Sequence, residues 1–87
     1  MKAIVSVIGK DCKGLIAKVS ALLYENGINI VDISQTVMRE FFTMIMLVEL
    51  DGADIAPVAK KLADLGKKLA VEIRIQHEDI FNAMHRI

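Results

Sequence analysis

Residues 3–23 read AIVSVIGKDCKGLIAKVSALL, and the spacing of the apolar side chains changes once within this run. Residues 3–9 are β-branched and apolar, which is typical of a strand. Apolar residues then recur at helical spacing, which predicts an amphipathic helix over 15–26 that ends at Gly27. Residues 10–14 form the loop between them. The run therefore predicts a strand, a loop and a helix in succession.

The rest of the chain shows the same two patterns, strand-like segments and apolar residues at helical spacing. Residues 29–39 alternate between apolar and polar side chains, which favours an edge strand. Residues 41–50 are apolar on both faces, which indicates a central strand covered on both sides. A second helix is predicted to start at Asp54 as its N-cap and to stop at Gly66. Residues 69–76 alternate again and form the last predicted strand.

The predicted order of elements is βαββαβ, followed by a tail. Two right-handed βαβ crossovers place both helices on one face of the sheet. The predicted fold class is α+β, a ferredoxin-like βαββαβ sandwich with a four-stranded antiparallel sheet and two helices on one face. In this arrangement the first and third strands are central and the second and fourth are edges. The domain is predicted to cover residues 1–76.

A C-terminal helical tail is predicted over residues 77–87. Its apolar side chains fall on one helical stripe, namely Ile80, Phe81, Met84 and Ile87. The stripe needs an apolar surface, and the sheet face opposite the two main helices is the one left. The sequence leaves open whether the tail covers its own sheet or that of a partner chain.

The composition predicts an oligomer that does not bind nucleic acid. Of the 87 residues, 54% are apolar, above the ordinary range of about 45–50%. A domain of this length cannot bury such an excess alone, so we expect a homodimer or a higher homo-oligomer. Eleven Lys and Arg balance 11 Asp and Glu, whereas phosphate binding needs an excess of positive charge. The cluster of Lys60, Lys61, Lys67 and Lys68 is interpreted as a solvated face.

The sequence favours a cytoplasmic location. The single Cys12 cannot form an internal disulfide, and no secretory leader is visible. No apolar run reaches the roughly 18 residues that span a bilayer, so no membrane association is expected.

No catalytic constellation is present, so we expect no enzymatic activity. His77 and His85 alone make a poor metal site, and no metal or cofactor is expected. Cys12 lies between Lys10 and Lys13 before a helix, which would favour a thiolate. Asp11 opposes that effect, and the alternative is a small packing residue. Whether Cys12 is reactive stays open.

The loop after the first strand is the first candidate binding segment. Backbone N–H groups at the helix start could receive a carboxylate, and Gly14 would allow a ligand to come close. The alternative is a tight strand-to-helix turn without a ligand. Asp11 is predicted to be the N-cap of the helix. Asn29 is the second candidate, because its amide carries both a donor and an acceptor among apolar neighbours.

Four runs resemble the ACT-domain family: VIGKDCKGLI (7–16), LLYENGINI (22–30), DISQTVM (32–38) and FTMIMLV (42–48). They are similar to small stand-alone ACT proteins. They are also similar to the ACT domains of the glycine cleavage system transcriptional repressor and of formyltetrahydrofolate deformylase. The resemblance covers nearly the whole chain.

The resemblance implies a non-enzymatic regulatory module that binds a small metabolite, an amino acid in many members, at a homodimer interface. The ligand typically meets the first loop of one chain and the start of the second strand of the other. By position, this points to Asp11, Cys12, Lys13, Gly14 and Leu15 on one side and to Asn29 and Ile30 on the other. Many ACT loops carry Arg or Pro-Gly where this chain has Cys12 and Lys13-Gly14. The alternative is a structural or protein-interaction module with an empty site, which docks a partner protein through its tail and sheet.

Overall fold

The elements follow one another in the order predicted from the apolar spacing. The computed structural model describes residues 2–10 and 14–78, and of Met38 it describes the backbone alone. The described elements are β1 (Lys2–Gly9), α1 (Leu15–Glu25), β2 (Asn29–Met38), β3 (Phe41–Glu49), α2 (Ile55–Leu69) and β4 (Glu72–His77).

The described strands form one sheet in the order β2-β3-β1-β4, and every neighbouring pair is antiparallel. The apolar strands β1 and β3 are central and the alternating strands β2 and β4 are edges, so this prediction is confirmed. Helix α1 packs towards β2 and helix α2 towards β4. The fold is the predicted ferredoxin-like sandwich.

The core lies between the two helices and one face of the sheet. Period-two alternation sends every second side chain of a strand to that face, and the helices contribute one apolar stripe each. The side chains involved are no more than 9% exposed. They include Ala3, Val5, Val7, Phe42, Met44, Met46, Val48, Ile73 and Ile75 from the sheet, and Leu15, Val19, Leu23, Val58 and Leu62 from the helices.

The other side of the sheet, which we call the open face, also carries apolar side chains. Ile8, Phe41 and Ile45 are 49%, 48% and 37% exposed. Strand β3 was predicted to be covered on both sides, and in residues 2–10 and 14–78 the helices cover only one. Of the tail predicted over 77–87, His77 is the last residue of β4 and Glu78 follows it, and residues 79–87 lie outside the described residues.

Helix α1 begins at Leu15 and ends before Gly27, as predicted, but its N-cap residue is not the predicted one. Gly27 has a φ of 74°, and the amide of Ile28 donates to the carbonyl of Leu23 at 2.9 Å, a backbone closure typical of helix C-termini. The N-cap is Gly14, which has no side chain to donate or accept a bond. The prediction of Asp11 as N-cap is therefore wrong by three positions.

Helix α2 continues past Gly66, where the sequence predicted its end. The helix runs to Leu69, and Ala70 follows with a φ of 58°. A Cβ on Gly66 would lie 2.7 Å from the carbonyl oxygen of Val71. Gly66 is therefore needed for close packing of α2 against the chain that enters β4. Because the helix takes residues 66–69, β4 begins at Glu72 and not at the predicted residue 69.

Candidate functional site

The first candidate segment lies where β1 leads into α1. Gly14 is exposed with a φ of 71°, and a Cβ built on it would meet nothing within 4 Å. Among the described residues no side chain caps α1, and the first amide N–H groups of a helix have no acceptor within the helix itself. The side chain of Leu15 is 2% exposed and belongs to the core, which leaves its backbone for a ligand. Asp11, Cys12 and Lys13 lie outside the described residues.

The second candidate segment is the start of β2. Asn29 is exposed and pairs with Glu49 of β3, which in turn pairs with Lys2 of β1. Because paired residues of antiparallel strands share a face, these three polar side chains form one row across the open face. Ile30 is half-buried against the core on the opposite face. Asn29 is therefore the member of the predicted pair that presents polar atoms to a ligand.

Glu49 is a candidate site residue that the sequence pattern did not indicate. The pKa of its carboxyl lies below the usual value because the amino terminus of the chain hydrogen-bonds to it, and the charge of Lys2 lowers it further. The Glu49 carboxyl in this row is therefore ionised at neutral pH. The sequence does not single out Glu49, because an acidic residue at the end of an apolar strand is common.

Lys10 and Phe41 lie at the other end of the sheet, beside the first candidate loop. The Lys10 Nζ atom is 5.7 Å from the centroid of the Phe41 ring, within the range of a cation–π contact. Phe41 begins β3 and its side chain lies on the open face. The pair adds a cation to the edge of the loop, and the sequence order of the two residues does not reveal it.

The two candidate segments lie at opposite ends of the sheet within one chain. Gly9, which precedes the loop, pairs with Phe42 at the start of β3, whereas Asn29 pairs with Glu49 at its end. Seven strand steps separate those positions, which is about 23 Å. The loop and Asn29 of one chain therefore cannot meet on the same small ligand.

Strand β2 is an unusually exposed edge. Every side chain from Val31 to Val37 is exposed, and Val37 reaches 67%. Asp32 is the one charged residue in the strand. The other edge, β4, carries Glu72 and Arg74, whose side chains form an ion pair at 2.7 Å. Charged side chains on an edge strand discourage pairing with another chain, so β2 is the edge suited to pairing.

Residues 2–10 and 14–78 hold no cluster of three or more His, Cys, Asp or Glu side chains that could bind a metal ion. Over the same residues, no helix combines the length and the hydropathy that a membrane crossing requires.

Comparison with known proteins assigns the chain to a family. The ACT domain model matches residues 2–76. A UPF0237 protein of Clostridium acetobutylicum is 55% identical over the full length of both chains. A solved structure, an ACT domain protein from Streptococcus pneumoniae, superposes with a TM-score of 0.83 at 45% identity and covers 93% of each chain. The chain belongs to the ACT-domain family.

Larger proteins contain the same fold. The regulatory subunit of aspartate kinase from Thermus thermophilus has a TM-score of 0.67 at 27% identity, over 86% of this chain and 50% of that one. A glycine cleavage system transcriptional repressor, described as putative, matches with a TM-score of 0.76 at 24% identity, over 86% and 44%. A formyltetrahydrofolate deformylase of Burkholderia mallei matches with 0.79 at 9% identity, over 87% and 28%. The last two show the fold alone.

Proposed function

We propose that this protein is a non-enzymatic regulatory module of the cytoplasm that binds a small metabolite, an amino acid, between two copies of the chain. The observation that carries the proposal is the separation of the two candidate segments within one chain, next to an exposed and nearly uncharged edge strand. ACT domains are regulatory ligand-binding modules, and one similar structure is the regulatory subunit of aspartate kinase from Thermus thermophilus. These findings support a ligand site of the same kind.

A symmetric pair of chains would bring the two segments together. In a two-fold dimer each chain offers the same surface, so two β2 edges would pair antiparallel. The partner's β1 would then run opposite to that of the first chain. Its loop before Leu15 would lie at the end of the sheet where the first chain has Asn29. Each ligand would contact both chains, and the dimer would hold two equivalent sites.

The chemistry at the two segments suits a zwitterion. The start of α1, which no described side chain caps, favours a carboxylate through its backbone N–H groups and the positive end of the helix dipole. The Asn29 amide can accept from an ammonium group or donate to a carboxylate. Glu49 supplies negative charge in the same row. An α-amino acid carries both of the charges that these groups would bind.

A thermal-shift screen with the standard amino acids tests the proposal. A ligand at about 100 times its Kd stabilises by about 2.7 kcal/mol, which raises the Tm of a domain of this size by about 10 °C or more. Asn29→Ala should weaken binding of that ligand by about 10-fold or more, because it removes a hydrogen bond to a charged group. Asp64→Ala is the control, since Asp64 is exposed on α2 away from both segments.

If a ligand stabilises Asn29→Ala as much as it stabilises the unchanged protein, the proposed site is contradicted.

The second candidate function is a protein-interaction module with an empty ligand site, favoured by the apolar side chains on the open face. No response to any amino acid, together with a stable complex recovered with another protein, would support that second function.

A further inference from the structure

The open face of the sheet carries a band of apolar side chains that the described helices leave uncovered. Ile4 and Leu47 are cross-strand partners on this face, and Ile45 lies one row further along β3. Ile4 and Leu47 are half-buried, and Ile45 is 37% exposed. An apolar band of this kind next to polar rows marks a contact surface.

The chain leaves the sheet at the edge of this band. The last residue of β4, His77, pairs with Ala3, and Gln76 pairs with Ile4. The backbone of Glu78 is already helical. The segment that follows therefore starts next to the beginning of β1, just past the row that holds Ile4 and Leu47.

The length and the pattern of residues 79–87 match the width of the band. As a helix this segment would be about 13–14 Å long, and the distance from β4 across β1 to β3 is two strand spacings, about 10 Å. Its apolar stripe is Ile80, Phe81, Met84 and Ile87, and its other residues are mostly polar. A helix that crosses the strands in this direction would place the stripe over the band.

We propose that residues 79–87 dock across the open face of their own sheet, over Ile4, Leu47 and Ile45. Attachment to β4 gives the segment a high effective concentration at this face, which a second copy would not match. This docking of residues 79–87 is independent of ligand binding. It covers one face of the sheet and leaves the β2 edge free for a second chain.

Nuclear Overhauser effects in the full chain test the proposal. Uniformly labelled protein should show contacts between the Phe81 ring and the methyl groups of Ile45 and Leu47. A mixture of labelled and unlabelled chains, recorded so that only contacts between chains appear, should show none of these. Absence of the contacts in the uniform sample would overturn the dock. Their presence in the mixed sample would assign the tail to a second copy and overturn the same-chain proposal.

Limited proteolysis of a variant gives a second readout. Chymotrypsin cleaves after Phe81, and docking should protect that bond. Ile45→Asp should raise the cleavage rate at Phe81 at least about 10-fold, because a charge in the band opposes burial of the stripe. Ala63→Asp, on the exposed side of α2, should leave the rate unchanged. Equal rates in Ile45→Asp and the unchanged protein would overturn the dock, and the milder Ile45→Ser serves if the aspartate variant does not fold.

Discussion

Gly66 allows α2 to pack closely against the backbone of Val71. A Cβ there would come within 2.7 Å of the Val71 carbonyl oxygen, so Gly66→Ala would force α2 away from β4. We expect a loss of about 1–3 kcal/mol in the free energy of unfolding. Urea denaturation measures it.

Ala63→Gly is the matched control for the Gly66 variant, because Ala63 is exposed in the same helix. It should cost about 1 kcal/mol through helix propensity alone. The same preference for alanine would make Gly66→Ala stabilising if α2 had room beside Val71. A stabilised Gly66→Ala protein would therefore contradict the close approach.

Single residues also show what the sequence can and cannot predict. Asn29 was identifiable because a polar side chain opens an apolar strand. Its neighbour Glu49 was not, since their pairing depends on the register of β2 against β3. Gly66 was misassigned as a helix stop because glycine serves both for termination and for close packing, and only the position of Val71 distinguishes the two.

At the scale of elements, β2 differs from β4 in ways that a variant can test. Val37 is exposed on the side of β2 that faces the helices, and the strand has no Lys to discourage pairing. Val37→Lys should shift the protein from dimer to monomer, because a charge on the edge opposes strand pairing. Light scattering after size exclusion measures the mass. Ala63→Lys adds the same charge on α2 and should leave the mass unchanged, whereas a dimeric Val37→Lys protein would place the interface elsewhere.

The order and the faces of the elements were predictable, and their ends less so. Period-two and period-3.6 patterns identified β1, α1, β2 and β3 to within about a residue of their bounds. The boundary between α2 and β4 was displaced because Leu69 fits the alternation of a strand and also the apolar stripe of the helix. Leu69 belongs to the helix because it packs against the core from α2, and Ala70 turns the chain with a positive φ.

At the scale of the whole molecule, the large exposed apolar side chains of the described residues, apart from Tyr24 on α1, lie in two separate places. One is the open face of the sheet, and the other is the β2 edge with Val31, Ile33 and Val37. Composition alone indicated that some apolar surface is left over. It could not separate the two surfaces, because their positions depend on the strand order. The candidate site could not be located from the sequence for a similar reason. Its two segments are far apart in one chain and would meet only between the two chains of a symmetric dimer.

The separation of Gly14 and Asn29 by the length of the sheet makes the proposed site subject to complementation. Gly14→Val is strained at a φ of 71° and should damage the loop half, whereas Asn29→Ala damages the strand half. A mixed dimer of the two variants would hold one site with both defects and one with none. An equal mixture that exchanges freely should therefore recover about a quarter of the ligand sites by calorimetry. If each chain carried its own complete site, mixing two inactive variants would restore no binding.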